Sequence, residues 1–266
     1  MRGATLRQLS RYGWEWAASH KSAPAAFKSY PQRYSDNLEG TKFSLEEAEG
    51  IVLRNQIVAQ RPKDSHDILG VFNLAYKTET RAMPPPAGDD FVDVLQERHH
   101  AMLERRPEAH PGHLKLESNY AGTTQFVQPS HVRGTLAEGS RLALTIPEGL
   151  ARAIYYLFLI AEVHPFADGN GRLSILVTNA ELSRAGRCRV IVPTLFHSQF
   201  VDCLRALTQG GRASPLIKAM FRMADWCAQF NYADLPKVIE AIKTTHAFEE
   251  SPAEFRLLNS DGSRAT

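Results

Sequence analysis

His164, Asp168, Asn170 and Arg172 stand in one short stretch, His164-Pro165-Phe166-Ala167-Asp168-Gly169-Asn170-Gly171-Arg172. His164 can act near neutral pH as a base toward a hydroxyl. Asp168 is a hard oxygen ligand suited to Mg2+, which takes one or two carboxylates together with substrate phosphates. At a helix start, Gly169, Asn170 and Gly171 let backbone N–H groups approach an anion, and the helix dipole adds partial positive charge. Arg172 brings a planar fork that matches phosphate oxygens. Base, metal carboxylate, anion cradle and cationic clamp are the parts of phosphoryl or nucleotidyl transfer. Singly, Asp-Gly-Asn is ordinary turn chemistry and Gly-x-Gly a weak signal. Their concurrence in one block points to a site. No second His or Cys lies at ligand spacing, which argues against Zn2+.

Two apolar runs must position this loop. Ile154–Val163 precedes it and Leu173–Leu182 follows it, and both read as buried helices. Pro147 is expected to open the first of these helices, which runs to Val163. Upstream, Ser44-Leu45-Glu46-Glu47 reads as a capping box. It starts a helix with Ile51, Val52, Asn55, Val58 and Ala59 on one face, which Pro62 stops. Asp64 to Tyr76 and Phe91 to Leu103 give further helices, with Met83-Pro84-Pro85-Pro86 a stiff connector between them. Leu114–Glu117 and Thr123–Val127, around Gly122, suggest two short strands. Helices are expected near 171–185, 196–209, 214–229 and 234–245. The expected fold is all-α, mostly helical, with one small β-hairpin.

Composition bounds the rest. The chain has 266 residues, 43% hydrophobic and 23% charged, which is ordinary for a globular protein. Its formal net charge of +2 gives no case for nucleic acid or an anionic membrane as partner. Cys188, Cys203 and Cys227 lack CxxC spacing, so a reducing, cytoplasmic setting with ordinary core cysteines is expected. The N-terminus lacks the apolar stretch of a signal peptide, and no apolar run reaches the roughly 20 residues that span a bilayer. His99-His100, His110 and His113 read as surface residues, and Arg105-Arg106 and Arg187/Arg189 as solvated charge clusters. Tyr155, Tyr156 and Phe158 read as core.

At the central loop the sequence resembles the Fic family, whose motif is His-x-Phe-x-(Asp/Glu)-Gly-Asn-Gly-Arg-x-x-Arg. His164, Phe166, Asp168, Gly169, Asn170, Gly171 and Arg172 match it position by position. The resemblance implies a helical core with a hairpin flap, spanning 35–250 between an N-terminal arm, 1–34, and a tail, 251–266. It implies Mg2+-dependent transfer of AMP from ATP to a Ser, Thr or Tyr hydroxyl of a target protein. By position, His164 would be the base, Asp168 the metal ligand, and Gly169–Gly171 with Asn170 the phosphate cradle. Arg172 would clamp the phosphates, and Phe166 would pack the loop into the core. The segment 119–127, with Gly122, Thr123, Thr124 and Gln125, resembles the flap that pairs with a target strand. Members of the family often dimerise, so a homodimer is compatible with the resemblance.

One position departs from the motif. The final arginine, which holds the terminal phosphate of ATP in family members, is Ile175 here. A missing charge-assisted contact of this kind is worth about 1.5–3 kcal/mol. Upstream, Ser35-Asp36-Asn37-Leu38-Glu39-Gly40 resembles the family's inhibitory motif, in the class that carries it N-terminal to the core. Ser35, Glu39 and Gly40 are its matching positions, and in that class the glutamate pairs with the arginine that Ile175 replaces. Three outcomes therefore stay open: an autoinhibited AMP transferase, a relative with another donor or with AMP-removing activity, and a silent nucleotide-binding protein.

Overall fold

Two buried helices with a polar loop between them form the centre of the molecule. The computed structural model describes residues 43, 45–232, 235–249 and 252–265. The N-terminal arm and the segment Ser35–Gly40, with Glu39, lie outside the described residues. The elements in chain order are α1 (Leu45–Arg54), α2 (Pro62–Tyr76), α3 (Thr78–Arg81) and α4 (Asp89–Leu103). A two-stranded hairpin follows, β1 (Tyr120–Ala121) and β2 (Thr124–Gln125), then α5 (Val132–Ala143), α6 (Leu150–Val163) and α7 (Asn170–Arg184). The chain closes with α8 (His197–Gly210), α9 (Ser214–Ala228) and α10 (Leu235–Lys243). This is the expected mostly helical fold with a small hairpin.

α6 is apolar on nearly every side, and both α6 and α7 are buried along most of their length, α7 with polar residues such as Thr178, Asn179 and Glu181 among the buried ones. A helix hydrophobic all round has to lie inside a shell of other elements. α6 and α7 pack along each other, with α4, α5 and α8 around them. Phe91, Leu95, Leu136, Tyr155, Phe158, Phe166 and Ile175 meet in the main core. A second cluster joins α9, α10 and the tail through Trp226, Ile239, Ile242 and Leu257, and Trp226 Nε1 donates to the Leu258 carbonyl at 2.9 Å. Cys227 is buried and Cys188 and Cys203 are half-buried, all as free thiols. Among the described residues no helix is long and apolar enough to cross a membrane.

The structure corrects several boundaries. α1 stops at Arg54 and does not continue to Pro62. Asn55 takes a left-handed backbone (φ 52) and the Gln56 N–H closes on the Gly50 carbonyl at 3.0 Å, a helix-terminating turn. Pro62 opens α2, where its fixed φ and missing N–H cost nothing. Likewise α6 starts at Leu150, not at Pro147, because Gly149 breaks the helix with φ 92. Its N–H is taken by the buried Glu181 carboxylate at 3.0 Å.

α5 has no counterpart among the expected elements. Its buried apolar residues are few and mostly small, and Gly139 lies among them. A Cβ at that glycine would come within 2.4 Å of Leu159 Cδ1. The close approach to α6 thus needs a glycine at this position. The hairpin pairs Tyr120 with Gln125 and Ala121 with Thr124 across Gly122 and Thr123. Leu114–Glu117 is not its first strand, because the Lys115 N–H goes to the Pro165 carbonyl at 2.8 Å. That segment is a strap along the central loop.

Candidate active site

His164 caps α6 with a left-handed backbone (φ 49), its N–H bonded to the Ile160 carbonyl at 2.9 Å. Its Nδ1 faces the Ala161 carbonyl at 3.4 Å. A carbonyl can only accept, so Nδ1 carries the proton and Nε2 keeps its lone pair. Burial pushes the ring's pKa down to about 4, with the Ala161 contact opposing, so it is neutral at physiological pH. Phe126, just past the flap, stacks on the imidazole at 4.0 Å with planes 6° apart. The ring lines a cavity of about 250 Å³ between the flap, the start of α7 and α8.

The loop after His164 is tied down from within. The Asn170 side chain accepts from the Phe166 N–H at 3.0 Å and donates to the Phe166 carbonyl at 2.9 Å. One donor and one acceptor site of its amide thus hold the loop, while its backbone stands at the start of α7. From the strap, Asn119 donates to the His164 and Phe166 carbonyls, and Lys115 Nζ donates to Asn119 and to the Val163 carbonyl. Phe166 is fully buried, as its expected packing requires. Gly169 sits at φ 76 before the N-terminus of α7, and a Cβ there would meet Met102 Cε at 2.8 Å.

His99 is not a surface residue. It is 0% exposed, and its ring stacks on Phe166 at 3.8 Å with planes 4° apart. Nδ1 accepts from the Gly112 N–H at 2.9 Å, so Nε2 bears the proton and donates to the Asp168 carbonyl at 3.0 Å. Burial pushes its pKa down to about 4. The unfolded ring takes up its proton near pH 6.5, so the unfolded state binds more protons between about pH 6.5 and 4. The contribution is whole above that window and is lost as pH falls through it, by about 3 kcal/mol. Metal-free wild type should lose about that much more stability between pH 6.5 and 4 than His99→Gln, measured by denaturant unfolding; parallel profiles would refute the assignment. His100, His110 and His113 are exposed as expected.

Asp168 sits in a double guanidinium clamp. Its Oδ1 accepts from the Gly169 N–H at 2.7 Å and from Arg172 Nη2 at 3.0 Å, and its Oδ2 accepts from Arg106 Nη2 at 3.0 Å. Partial burial alone would raise its pKa. Arg172, the Gly169 N–H and Arg106 outweigh that and hold the carboxyl below the usual range. Both arginines also meet Asp67, an almost fully buried carboxylate of α2, which lies 2.6 Å from Arg106 Nη1 and contacts Arg172 Nη1.

Arg106 is thus no solvated charge; its side chain is 12% exposed and also holds Glu108 at 2.8 Å. Arg189 likewise turns inward, donating to Ser183 Oγ at 2.9 Å. Ile175 is fully buried in the main core. The second guanidinium at Asp168 comes from Arg106, across the fold.

The donor set fits a Mg2+ that arrives with a polyphosphate. Asp168 keeps 37% side-chain exposure, and among the described residues no three metal-capable side chains form a cage. Mg2+ binds in this manner, through one carboxylate, substrate phosphates and water. Arg106 and Arg172 face Asp67, Asp168 and Glu108, so the cluster has no positive surplus. A polyphosphate here needs a companion cation.

Asp67, His99, Arg106, Lys115 and Asn119 complete the site, and sequence reading passes over all of them. A signal existed for His99, which lies four residues after Leu95 and four before Leu103, on the buried stripe of α4. Asp67 likewise abuts the buried Ile68 and Leu69. Arg106 carries no such mark.

Residues 91–182 match the family model described as the Fic/DOC family. Protein adenylyltransferase fic-1 of Caenorhabditis elegans is 23% identical over 214 residues, covering 78% of this chain and 40% of the relative. Protein adenylyltransferase Fic of Drosophila melanogaster is 25% identical over 205 residues, covering 73% and 41%. The chain therefore spans about 40% of the length of these curated relatives. A solved structure of C. elegans Fic-1 superposes with TM-score 0.61 at 20% identity, covering 91% of this chain and 74% of that one. A Fic family protein from Desulfovibrio desulfuricans gives 0.61 at 15% identity, covering 91% and 75%. At these identities the superpositions show a shared fold. The matched segment runs from α4 through α7 and holds the flap, His164, the loop and Arg172, so the likeness to the Fic/DOC family covers the whole loop of the candidate site.

Proposed function

We propose that the chain is a protein adenylyltransferase, moving AMP from ATP to a hydroxyl side chain of a target protein. The observation that carries this reading is the neutral His164 ring, with its Nε2 lone pair available, at a cavity bounded by the start of α7. Relatives named protein adenylyltransferases support it. The target hydroxyl oxygen attacks the α-phosphorus while its proton passes to His164 Nε2. The bond from the α-phosphorus to the bridging oxygen breaks, pyrophosphate leaves, and AMP stays on the target as a phosphodiester.

Asp168 would hold Mg2+, which neutralises charge on the phosphates when bound. Arg172 and the backbone at Gly169–Gly171 bind and orient the phosphates, and the flap edge at Gly122–Gln125 aligns the target chain by strand pairing. The decisive experiment offers protein substrates ATP labelled at the α- or the γ-phosphate, with Mg2+. Label on protein from the α position alone supports the reading. Label from the γ position, or none from either, overturns it.

Autoinhibition by Ser35–Gly40 belongs to the same proposal. Glu39→Gly should raise self-modification severalfold in the α-label assay. No gain would remove the inhibitory segment from the scheme and leave the transferase reading intact.

A further inference from the structure

The backbone of His164 is left-handed (φ 49), a region that residues other than glycine seldom enter. It also ends α6, and the last carbonyls of a helix find no donors inside it. The strap supplies them. The Lys115 N–H donates to the Pro165 carbonyl at 2.8 Å, and Lys115 Nζ to the Val163 carbonyl at 3.2 Å. Asn119 Nδ2 donates to the His164 carbonyl at 3.3 Å and to the Phe166 carbonyl at 3.1 Å. Four consecutive carbonyls around the histidine are thus held by two residues of one segment. Lys115 is only 6% exposed, and its ammonium stands at the C-terminal end of α6, where the helix dipole favours a cation. Nζ also donates to Asn119 Oδ1 at 2.6 Å, which turns the amide so that its N–H groups face the loop.

The same segment carries the flap. Asn119 directly precedes β1, Phe126 directly follows β2, and the Phe126 N–H donates to the Asn119 carbonyl at 3.2 Å. Both roots of the flap therefore grip His164, Asn119 through its carbonyl and Phe126 through its ring at 4.0 Å. We propose that Lys115 and Asn119 are positioning residues for His164, holding the base and the root of the flap in one frame. A target chain paired to the flap then meets Nε2 in a fixed register, which matters because a proton passes only across hydrogen-bond distance. Neither residue lines the cavity, so each acts through the histidine. The inference rests on the transferase reading, since it concerns the base of the same site.

The test is a double-mutant cycle on the full chain. Asn119→Ala and Lys115→Met are each made in wild type and in His164→Ala. Transfer of α-label from ATP, ATP binding and amide hydrogen exchange over residues 160–170 are measured. In wild type each substitution should slow transfer about 10–100-fold, the cost of a base displaced by about an ångström, while ATP affinity stays within about threefold. In His164→Ala neither should slow the residual transfer more than about twofold, because the group they position is gone. A loss of equal size in both backgrounds, or none in wild type, overturns the inference, since a residue that serves only stability acts without the histidine too. The His164 and Phe166 amides should exchange at least about tenfold faster in either variant. Unchanged exchange in both overturns the inference, whatever the label shows. Asn119 is half-buried, so Asn119→Ala carries the test if Lys115→Met does not fold. Wild type that binds ATP and transfers no label overturns the transferase reading alone, and exchange then decides the role of the strap.

Discussion

His164→Ala should cut transfer of AMP by 10²–10⁴-fold, the usual range for loss of a positioned general base and about 3–5.5 kcal/mol of barrier. Nucleotide affinity should stay within a few-fold, because the ring meets the hydroxyl proton and not the phosphate cradle. The split between rate and affinity is the informative part. In wild type the acid limb of kcat/KM should lie near pH 4, where burial has placed the ring's titration. As pH falls through that value the base is protonated and the rate is lost. An acid limb near pH 6.5, or a variant that loses affinity and rate together, would count against a general base at this position.

Asp67→Ala should cost about 3–5 kcal/mol of stability, the range for stripping the partner from a buried charge. Asp67 and Arg172 are 5% and 3% exposed at the side chain, and Asp67 also holds Arg106. Removing it leaves two guanidinium groups to share Asp168. Arg172 then loses one of the two carboxylates that position it, and AMP transfer should fall with stability. Urea or guanidinium denaturation of wild type, Asp67→Ala and the double variant Asp67→Ala/Arg172→Leu measures the effect. The double variant should recover part of the loss, since a buried apolar pair replaces an uncompensated charge. A cost below about 1 kcal/mol for Asp67→Ala would show that solvent or another group supports Arg172 instead.

Ile175 reads differently once its surroundings are known. From the sequence it is a missing phosphate ligand. In the structure it is fully buried in the main core, so Ile175→Arg should destabilise the chain before it can restore any contact. A second guanidinium at Asp168 does come from Arg106, separated from Asp168 by 62 positions.

The helices that carry the site were legible because their information is local. α6 and α7 are long apolar runs flanking a polar block, and periodicity with composition is enough to place them to within a few residues. α5 was passed over although Val132, Leu136, Ala137, Ser140 and Ala143 recur at helical spacing, because that face is mostly of small residues. The ends of α1 and α6 were misplaced because a proline reads as a stop or a start, while the actual breaks are positive-φ residues, Asn55 and Gly149.

Within the site, the sequence by itself brought out the proposed reacting set: His164, Asp168, the glycines and Arg172, all within one loop whose residue types together point to chemistry. Tertiary structure alone decided what makes that set work. Asp67, His99, Arg106 and Asn119 reach the loop from elements far away in the chain. Their partners are backbone carbonyls and buried charges, which leave no mark in residue spacing. A carboxylate in α2 and a histidine in α4 look like any others until burial removes water and makes each hydrogen bond obligatory.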